Sequence, residues 1–168
     1  PLLLNSPDPP LLLFLEGRRE QLAQLPAMAV VGSRHPTPQG RETARGLAAE
    51  LAGAGLAVVS GLAIGIDGEA HRGALTRGAS WAVLGGGLDV IHPRAHRELA
   101  ASLIERGLLI SEHVPGTQPL PQHFLQRGAD GLVLGARRRL DLGARGTQTG
   151  FEGIGGIGKT TLAAALTR

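Results

Sequence analysis

The stretch Ala27-Met28-Ala29-Val30-Val31-Gly32-Ser33-Arg34 decides the fold of this chain. Its small and apolar residues predict a short buried strand, and the Gly-Ser-Arg that follows predicts a tight turn. A helix is then predicted, because apolar residues recur at helical spacing at Ala44, Leu47, Ala48 and Leu51. Strand, turn and helix form the first half of a βαβ unit. The helix N-terminus in such a unit presents N–H groups to an anion above the turn.

The same pattern repeats three more times along the chain. Apolar runs predict further strands near 56–59, 80–84 and 108–110, each preceded by a helical pattern. A short edge strand is also predicted within 11–15. Apolar runs that alternate with helices predict an α/β fold, with a Rossmann-like parallel sheet and helices on both faces.

The turns after the four strands are expected to converge, because the carboxyl ends of parallel strands share one edge, where open α/β folds bind ligands. The converging segments are Gly32-Ser33-Arg34, Ser60-Gly61, Gly85-Gly86-Gly87 and Ser111-Glu112. Gly32 allows close approach of a ligand, and the planar guanidinium of Arg34 suits phosphate or base edges. In the simpler interpretation, Gly32 only turns the chain and Arg34 is solvated. No turn carries a complete G-x-G-x-x-G, so a standard dinucleotide site is not indicated.

Composition sets broader limits. A chain of 168 residues allows one ordinary domain and a fragment of another. The absence of cysteine excludes disulfides and thiolate zinc sites, which fits a cytoplasmic location. Neither a membrane span nor a signal peptide is predicted. The formal charge of +3 arises within 127–145, which holds five arginines and two aspartates, and gives little support for nucleic-acid binding by itself.

Two groups of polar residues could bind a metal or act in catalysis. Asp67 and His71 are spaced four apart on a predicted helix, but we favour a structural interpretation. Asp67 would then complement the helix N-terminus, and His71 would pack in the core. His92, His96 and Glu98 lie near a helix start, where solvated side chains are usual. We therefore predict no catalytic residue, no metal and no cofactor.

These motifs together closely resemble the DprA/Smf family over roughly residues 5–127. The matching segments include Val31-Gly32-Ser33-Arg34, Ser60-Gly61-Leu62-Ala63-x-Gly65-Ile66-Asp67, Gly85-x-Gly87-Leu88-Asp89 and Ser111-Glu112 with Pro115-Gly116-Thr117. The resemblance implies a domain that binds single-stranded DNA and loads the RecA recombinase in natural transformation. It also implies a homodimer and no enzymatic activity. The DNA contacts that it implies are Gly32, Ser33, Arg34, Ser60, Gly61, Ala63, Gly65, Gly85, Gly87, Ser111, Glu112, Phe124 and Arg127.

The resemblance stops after Arg127. Gly128-Ala129 stand where the family has Asn-Arg, and no apolar strand is recognisable beyond them. The sheet is therefore expected to be incomplete on its C-terminal side. The predicted divisions are an extended segment at 1–26, the Rossmann-like domain at 27–127, a divergent Arg/Gly-rich segment at 128–150 and a fragment at 151–168. A frameshift and a genuine fusion both fit this break.

The last fragment contains a Walker A pattern, G-x-x-x-x-G-K-T, similar to the loop of STAND-type signalling NTPases. Its nucleotide-binding residues would be Gly153, Gly158, Lys159 and Thr160. Residues 149–152 are a poor strand, and no Walker B acid follows, so we expect no ATP hydrolysis. An alternative function follows from this motif: a nucleotide-sensing Rossmann-like module fused to a STAND-type NTPase.

Overall fold

The computed structural model of the chain describes residues 10–120 and His123, together with the backbone of 136–142 and 148–153. Strands and helices alternate through the first of these ranges. A 3-10 turn at Arg94–His96 precedes the last helix. The elements are β1 (Phe14–Gly17), α1 (Gln21–Gln24), β2 (Ala27–Gly32), α2 (Pro38–Gly53), β3 (Ala57–Ser60), α3 (Ile66–Arg77), β4 (Ser80–Leu84), α4 (Arg97–Arg106), β5 (Leu108–Ser111), β6 (Ala136–Leu142) and β7 (Gln148–Gly153).

The described strands form one sheet in the order β1-β5-β4-β3-β2-β6-β7. The inner five strands are parallel, and β1 and β7 join the edges in antiparallel orientation. The Rossmann-like α/β fold predicted from the sequence is confirmed. Strands β2, β3, β4 and β5 are added to the sheet one after another in one direction, and β6 then lies on the other side of β2. This reversal makes the carboxyl end of β2 a topological switch point, where open α/β sheets bind ligands.

The three longer helices cover one face of the sheet, because successive right-handed crossovers in one direction place their helices together. Met28, Val30 and Val58 on this face pack against alanines of α2 and α3. The opposite face includes Trp81, whose indole Nε1–H donates to Gln21 Oε1 of α1 at 3.0 Å. Leu22, together with Leu13 and Leu25, also packs on that face. Helices therefore lie on both faces of the sheet, but α2, α3 and α4 lie on one face and only the short α1 lies on the other.

Small residues allow α2 and α3 to pack closely. Gly73 of α3 lies directly against the backbone of Arg45 in α2, with no space for a side chain. Thr37 caps the start of α2 by accepting the Gly40 N–H at 3.1 Å, and Pro38 occupies the first helical position. The two helix N-termini are thus fixed at the same edge of the sheet. Within the described residues, no helix is long and apolar enough to cross a membrane.

Two strands follow Arg127 among the described residues, on the side where the sheet was expected to be incomplete because no apolar strand is recognisable there. β6 pairs with β2 in parallel, with Val30 opposite Leu140, and β7 pairs with β6. Ladder hydrogen bonds join backbone groups, so an arginine-rich segment can pair as well as an apolar one. The alternation Leu140-Asp141-Leu142 is typical of a strand with one buried face, but the preceding arginine run obscured it.

Candidate functional site

The turn after β2 and the loop after β3 contact each other at the carboxyl ends of the strands, an edge that we call the carboxyl rim. The Ile66 N–H donates to the Ser33 carbonyl oxygen at 3.0 Å. Gly65 has a φ of +94°, and a Cβ on it would lie 2.8 Å from Arg34 Cα. Only glycine fits this close, left-handed position without strain. The contact fixes the backbone on which Arg34 is carried.

Hydrogen bonds hold the β3–α3 loop from two further sides. Asp67 Oδ2 accepts the Gly61 N–H at 3.1 Å, and the imidazole Nδ1 of His96 lies 2.9 Å from the Leu62 carbonyl oxygen. Leu62 is fully buried with a φ of +58°, which is rare for a residue with a branched side chain. A strained backbone conformation of this kind persists only where surrounding contacts hold it in place, and it is commonest at functional sites.

The glycine turn after β4 is held by the segment after β5. The Gly87 N–H donates to the Thr117 carbonyl oxygen at 2.9 Å, and the Ser111 hydroxyl donates to the Gly86 carbonyl oxygen at 2.7 Å. Asp89 accepts the Gly116 N–H at 2.8 Å. The second half of the rim is therefore also built from backbone groups in fixed positions.

Two histidines that sequence reasoning missed lie beside this turn. The ring of His123 stacks on His113 with the centroids 4.2 Å apart, and its Nδ1 lies 2.9 Å from the Gly85 carbonyl oxygen. A carbonyl oxygen only accepts, so His123 donates from Nδ1. No motif marked either residue, since an isolated histidine in a polar loop carries no spacing signal.

The predicted site residues differ in exposure. Arg34 and Glu112 are exposed on the rim, whereas Ser60 and Ser111 are buried at the ends of their strands. The Ser33 hydroxyl accepts the His35 N–H at 3.1 Å, which shapes the turn that carries Arg34. Charge-bearing and backbone groups therefore converge at the rim, as the sheet topology requires. Phe124, Arg127, Gly158, Lys159 and Thr160 lie outside the described residues, and Gly153 ends β7.

Asp67 and His71 do not face a common ligand. Asp67 accepts the Gly61 N–H, while the Nδ1 of His71 lies 2.8 Å from the Ser80 hydroxyl in the core. Across residues 10–120, no group of three histidine, aspartate or glutamate side chains is placed to hold a metal. His96 was expected to be solvated, and this is wrong. It is buried against α3, where its ring contacts the Cα position of Gly68.

The hydrogen bonds of His71 define its protonation. Ser80 donates its only hydroxyl hydrogen to the Val58 carbonyl oxygen at 2.8 Å, so His71 must donate from Nδ1. Its Nε2 is a buried acceptor that has no hydrogen-bond partner among the residues that the structure describes. Burial is the largest cause that lowers the pKa of His71 to about 3, and the nearby positive charges of His96 and Arg72 contribute to the same shift. The imidazole is therefore neutral in the folded protein at any physiological pH.

The low pKa predicts loss of stability in mild acid. Below pH 6.5 the unfolded chain takes up a proton at His71 that the folded chain excludes down to about pH 3. This proton uptake lowers the free energy of unfolding by about 2 kcal/mol between pH 7 and pH 5, because each pH unit below the unfolded pKa contributes about 1.4 kcal/mol. His71→Asn keeps a donor near Nδ1 but does not titrate. Urea unfolding at both pH values should show a smaller acid loss for this variant. If the parent protein and His71→Asn lost equal stability between pH 7 and pH 5, the assignment of a low pKa to His71 would be contradicted.

Comparison with known proteins gives consistent matches to one family. The family described as DNA recombination-mediator protein A matches residues 1–130. Protein Smf of Escherichia coli is 46% identical over 129 residues, covering 76% of this chain and 34% of the relative. DNA processing protein DprA of Streptococcus pneumoniae is 43% identical over 125 residues, covering 71% of this chain and 42% of the relative. The chain thus spans about two fifths or less of these relatives.

Solved structures agree with these matches. The crystal structure of DprA from Streptococcus pneumoniae aligns with a TM-score of 0.76 and 39% identity, covering 85% of this chain and 49% of that protein. A structure of DprA from Helicobacter pylori, described as revealing a unique single-stranded DNA binding mode, aligns with a TM-score of 0.75 and 29% identity. It covers 81% of this chain and 62% of that protein.

Proposed function

The chain belongs to the DNA recombination-mediator protein A family, and from this premise we propose that it binds single-stranded DNA as a recombination mediator of the DprA type. One observation carries the proposal. At the topological switch point, Gly65 contacts the backbone of Ser33 and Arg34, so a charged side chain stands on a fixed turn beside two helix N-termini. An anion at this position gains both from the guanidinium and from the positive ends of the helix dipoles.

A single strand suits this arrangement better than a duplex does. It exposes phosphates and unpaired bases together, and an arginine can pair with the first or stack on the second. The glycine turns let the strand approach the backbone closely. We propose as contacts the rim residues Gly32, Ser33, Arg34, Ser60, Gly61, Ala63, Gly65, Gly85, Gly87, Ser111 and Glu112, with Phe124 and Arg127 beyond them.

The wider role follows from family membership and is part of the same proposal. A mediator of this type would deliver its strand to the RecA recombinase and act as a homodimer. Because these partners are cytoplasmic, the expected location of the protein is the cytoplasm. No catalytic residue enters the proposal, since single-strand binding at the rim requires contacts and no bond cleavage.

Replacement of Arg34 tests the proposal at its main contact. One charge-assisted hydrogen bond contributes roughly 1.5–3 kcal/mol, so Arg34→Ala should weaken single-strand binding by about one to two decades. Arg34→Lys should recover little, because an ammonium lacks the planar fork. The measurement is fluorescence anisotropy with a labelled oligonucleotide.

Arg77→Ala is the matched control for Arg34→Ala. Arg77 pairs with Glu50 at the ends of α2 and α3 that lie away from the rim, and its loss should leave binding unchanged. Circular dichroism verifies that each variant is folded. An Arg34→Ala protein that binds like the Arg77→Ala protein would refute the proposed contact.

A further inference from the structure

Three arginines share one glutamate on the surface formed by α2 and α3. The Glu69 carboxylate lies 2.6 Å from Arg45 Nη2, 3.4 Å from Arg72 Nη1 and 3.8 Å from Arg41 Nη1. One carboxylate balances one of these charges, so the cluster carries two excess positive charges. We call Arg41, Arg45 and Arg72 the arginine patch.

The excess charge of the arginine patch faces solvent. Its side chains are 47%, 55% and 37% exposed, in the order Arg41, Arg45 and Arg72, while Glu69 is only 9% exposed. At the other end of the same helices, Arg77 pairs with Glu50 one to one at 2.6 Å. The imbalance thus extends from the first turn of α2 to the middle of both helices and does not include their C-terminal ends.

The Arg41 side of the patch is the side nearest to the carboxyl rim. The Arg41 N–H donates to the Thr37 carbonyl oxygen in the first turn of α2, and the Glu69 N–H donates to that of Gly65 in the first turn of α3. Gly65 itself contacts Arg34. The patch therefore begins about one helical turn, roughly 5 Å, from the segment that carries Arg34.

The chemistry of the patch fits phosphate better than it fits a protein surface. Guanidinium groups match phosphate oxygens in pairs. Protein interfaces have an apolar centre, whereas none of the large exposed apolar side chains at 10–120 lies on α2 or α3. Glu42 is a further exposed acid on α2, and it forms no ion pair with the residues at 10–120 that would neutralise the patch.

We propose that the arginine patch binds the phosphodiester backbone of the same single strand where it leaves the rim. This inference rests on the proposed function, and it extends the binding surface from the rim onto the outer side of α2 and α3. Glu69 acts as a positioning residue, since it holds the three guanidinium groups together and neutralises only one. The patch contacts no bases, so it adds affinity without sequence preference.

The double variant Arg41→Gln/Arg72→Gln tests the patch with the least disturbance. It removes the two excess charges and keeps Arg45, the closest partner of Glu69, so no nearly buried carboxylate is left unpaired. Arg77→Gln is the control, because it removes an arginine that is at least as exposed as Arg41 and Arg72 from the same helix pair. Anisotropy titrations use oligothymidines of about 5 nucleotides, near the lower limit of usual single-strand site sizes, and of about 20 nucleotides, above their upper limit.

The long strand should bind the double variant at least tenfold more weakly than it binds the parent protein, and the short strand should bind both equally. Loss of two phosphate contacts should also reduce the salt slope on the long strand by about 1.4, at about 0.7 per contact. The control should match the parent in both readouts.

Each other outcome has a definite meaning. Unchanged long-strand affinity and salt slope in the double variant would overturn the proposal and leave an acidic protein surface as the chemistry that the patch fits. Equal losses on both strands would place these arginines within the rim site and overturn it as well. A parent protein that binds neither strand would refute the proposed function itself, whatever the variants do.

Discussion

Gly73→Ala is expected to lower the free energy of unfolding by about 3 kcal/mol, whereas Gly46→Ala is expected to raise it by up to about 1 kcal/mol. The two glycines lie within the neighbouring helices α3 and α2, and the same methyl group is added to each. A Cβ on Gly73 would collide with the Arg45 carbonyl oxygen and lie 2.8 Å from its carbonyl carbon. These are backbone atoms inside a helix, so relief requires the two helices to separate.

Gly46 provides the matched control, because a Cβ there has nothing within 4 Å. Alanine at this exposed position gains only the helix propensity that glycine lacks. Urea unfolding of the two variants beside the parent protein measures both effects. Changes of the same sign would contradict the close packing of α2 on α3, which fixes both helix N-termini at the rim.

Gly65→Ala is expected to weaken single-strand binding at least 100-fold, which is more than the loss expected for Arg34→Ala. The substituted residue would keep a φ near +94° at a cost of roughly 1–3 kcal/mol. Its Cβ would also lie 2.8 Å from Arg34 Cα and 2.9 Å from the Arg34 carbonyl carbon. The turn after β2 must then move as a unit, which displaces every rim contact that it carries.

Gly55→Ala separates this effect from backbone strain alone. Gly55 has a φ of +85°, but a Cβ on it has nothing within 4 Å, and it lies at the end of α2 away from the rim. This variant should lose stability without losing affinity. Anisotropy gives the affinities, and circular dichroism gives the folded fractions. A folded Gly65→Ala protein with the affinity of Gly55→Ala would show that the contact between the two loops does not position the DNA site.

Apolar runs and helical spacing predicted most of the strands and helices, because these patterns depend only on residues that are close in the sequence. The run at 80–84 coincides with β4, and the helix predicted from Ala44, Leu47, Ala48 and Leu51 lies within α2. Convergence of the turns at one edge followed from the parallel arrangement alone. β6 was missed because ladder pairing with β2 does not require an apolar run, and the Arg/Gly-rich segment at 128–150 was interpreted as divergent sequence.

The contacts that fix the rim could not be predicted in the same way. The approach of Gly65 to Arg34 depends on how two separate loops are placed, and glycine in a loop has many ordinary explanations. The pairing of Glu69 with Arg72 is visible at a spacing of three in a helix. Its contact with Arg45 crosses between helices and needs their packing. His96 was misjudged for the same reason, since its burial depends on α3 rather than on its own helix.

The most direct test of the central claim is an anisotropy titration of the unmodified protein. A short labelled single strand is titrated beside a duplex of the same sequence, with free nucleotides as competitors and with salt varied. The structure and the family predict single-strand binding at least tenfold tighter than duplex binding, weakening as salt rises because counterions are released. Equal binding of single strand and duplex would contradict the claim, and so would tight binding of a free nucleotide by a protein that does not bind DNA.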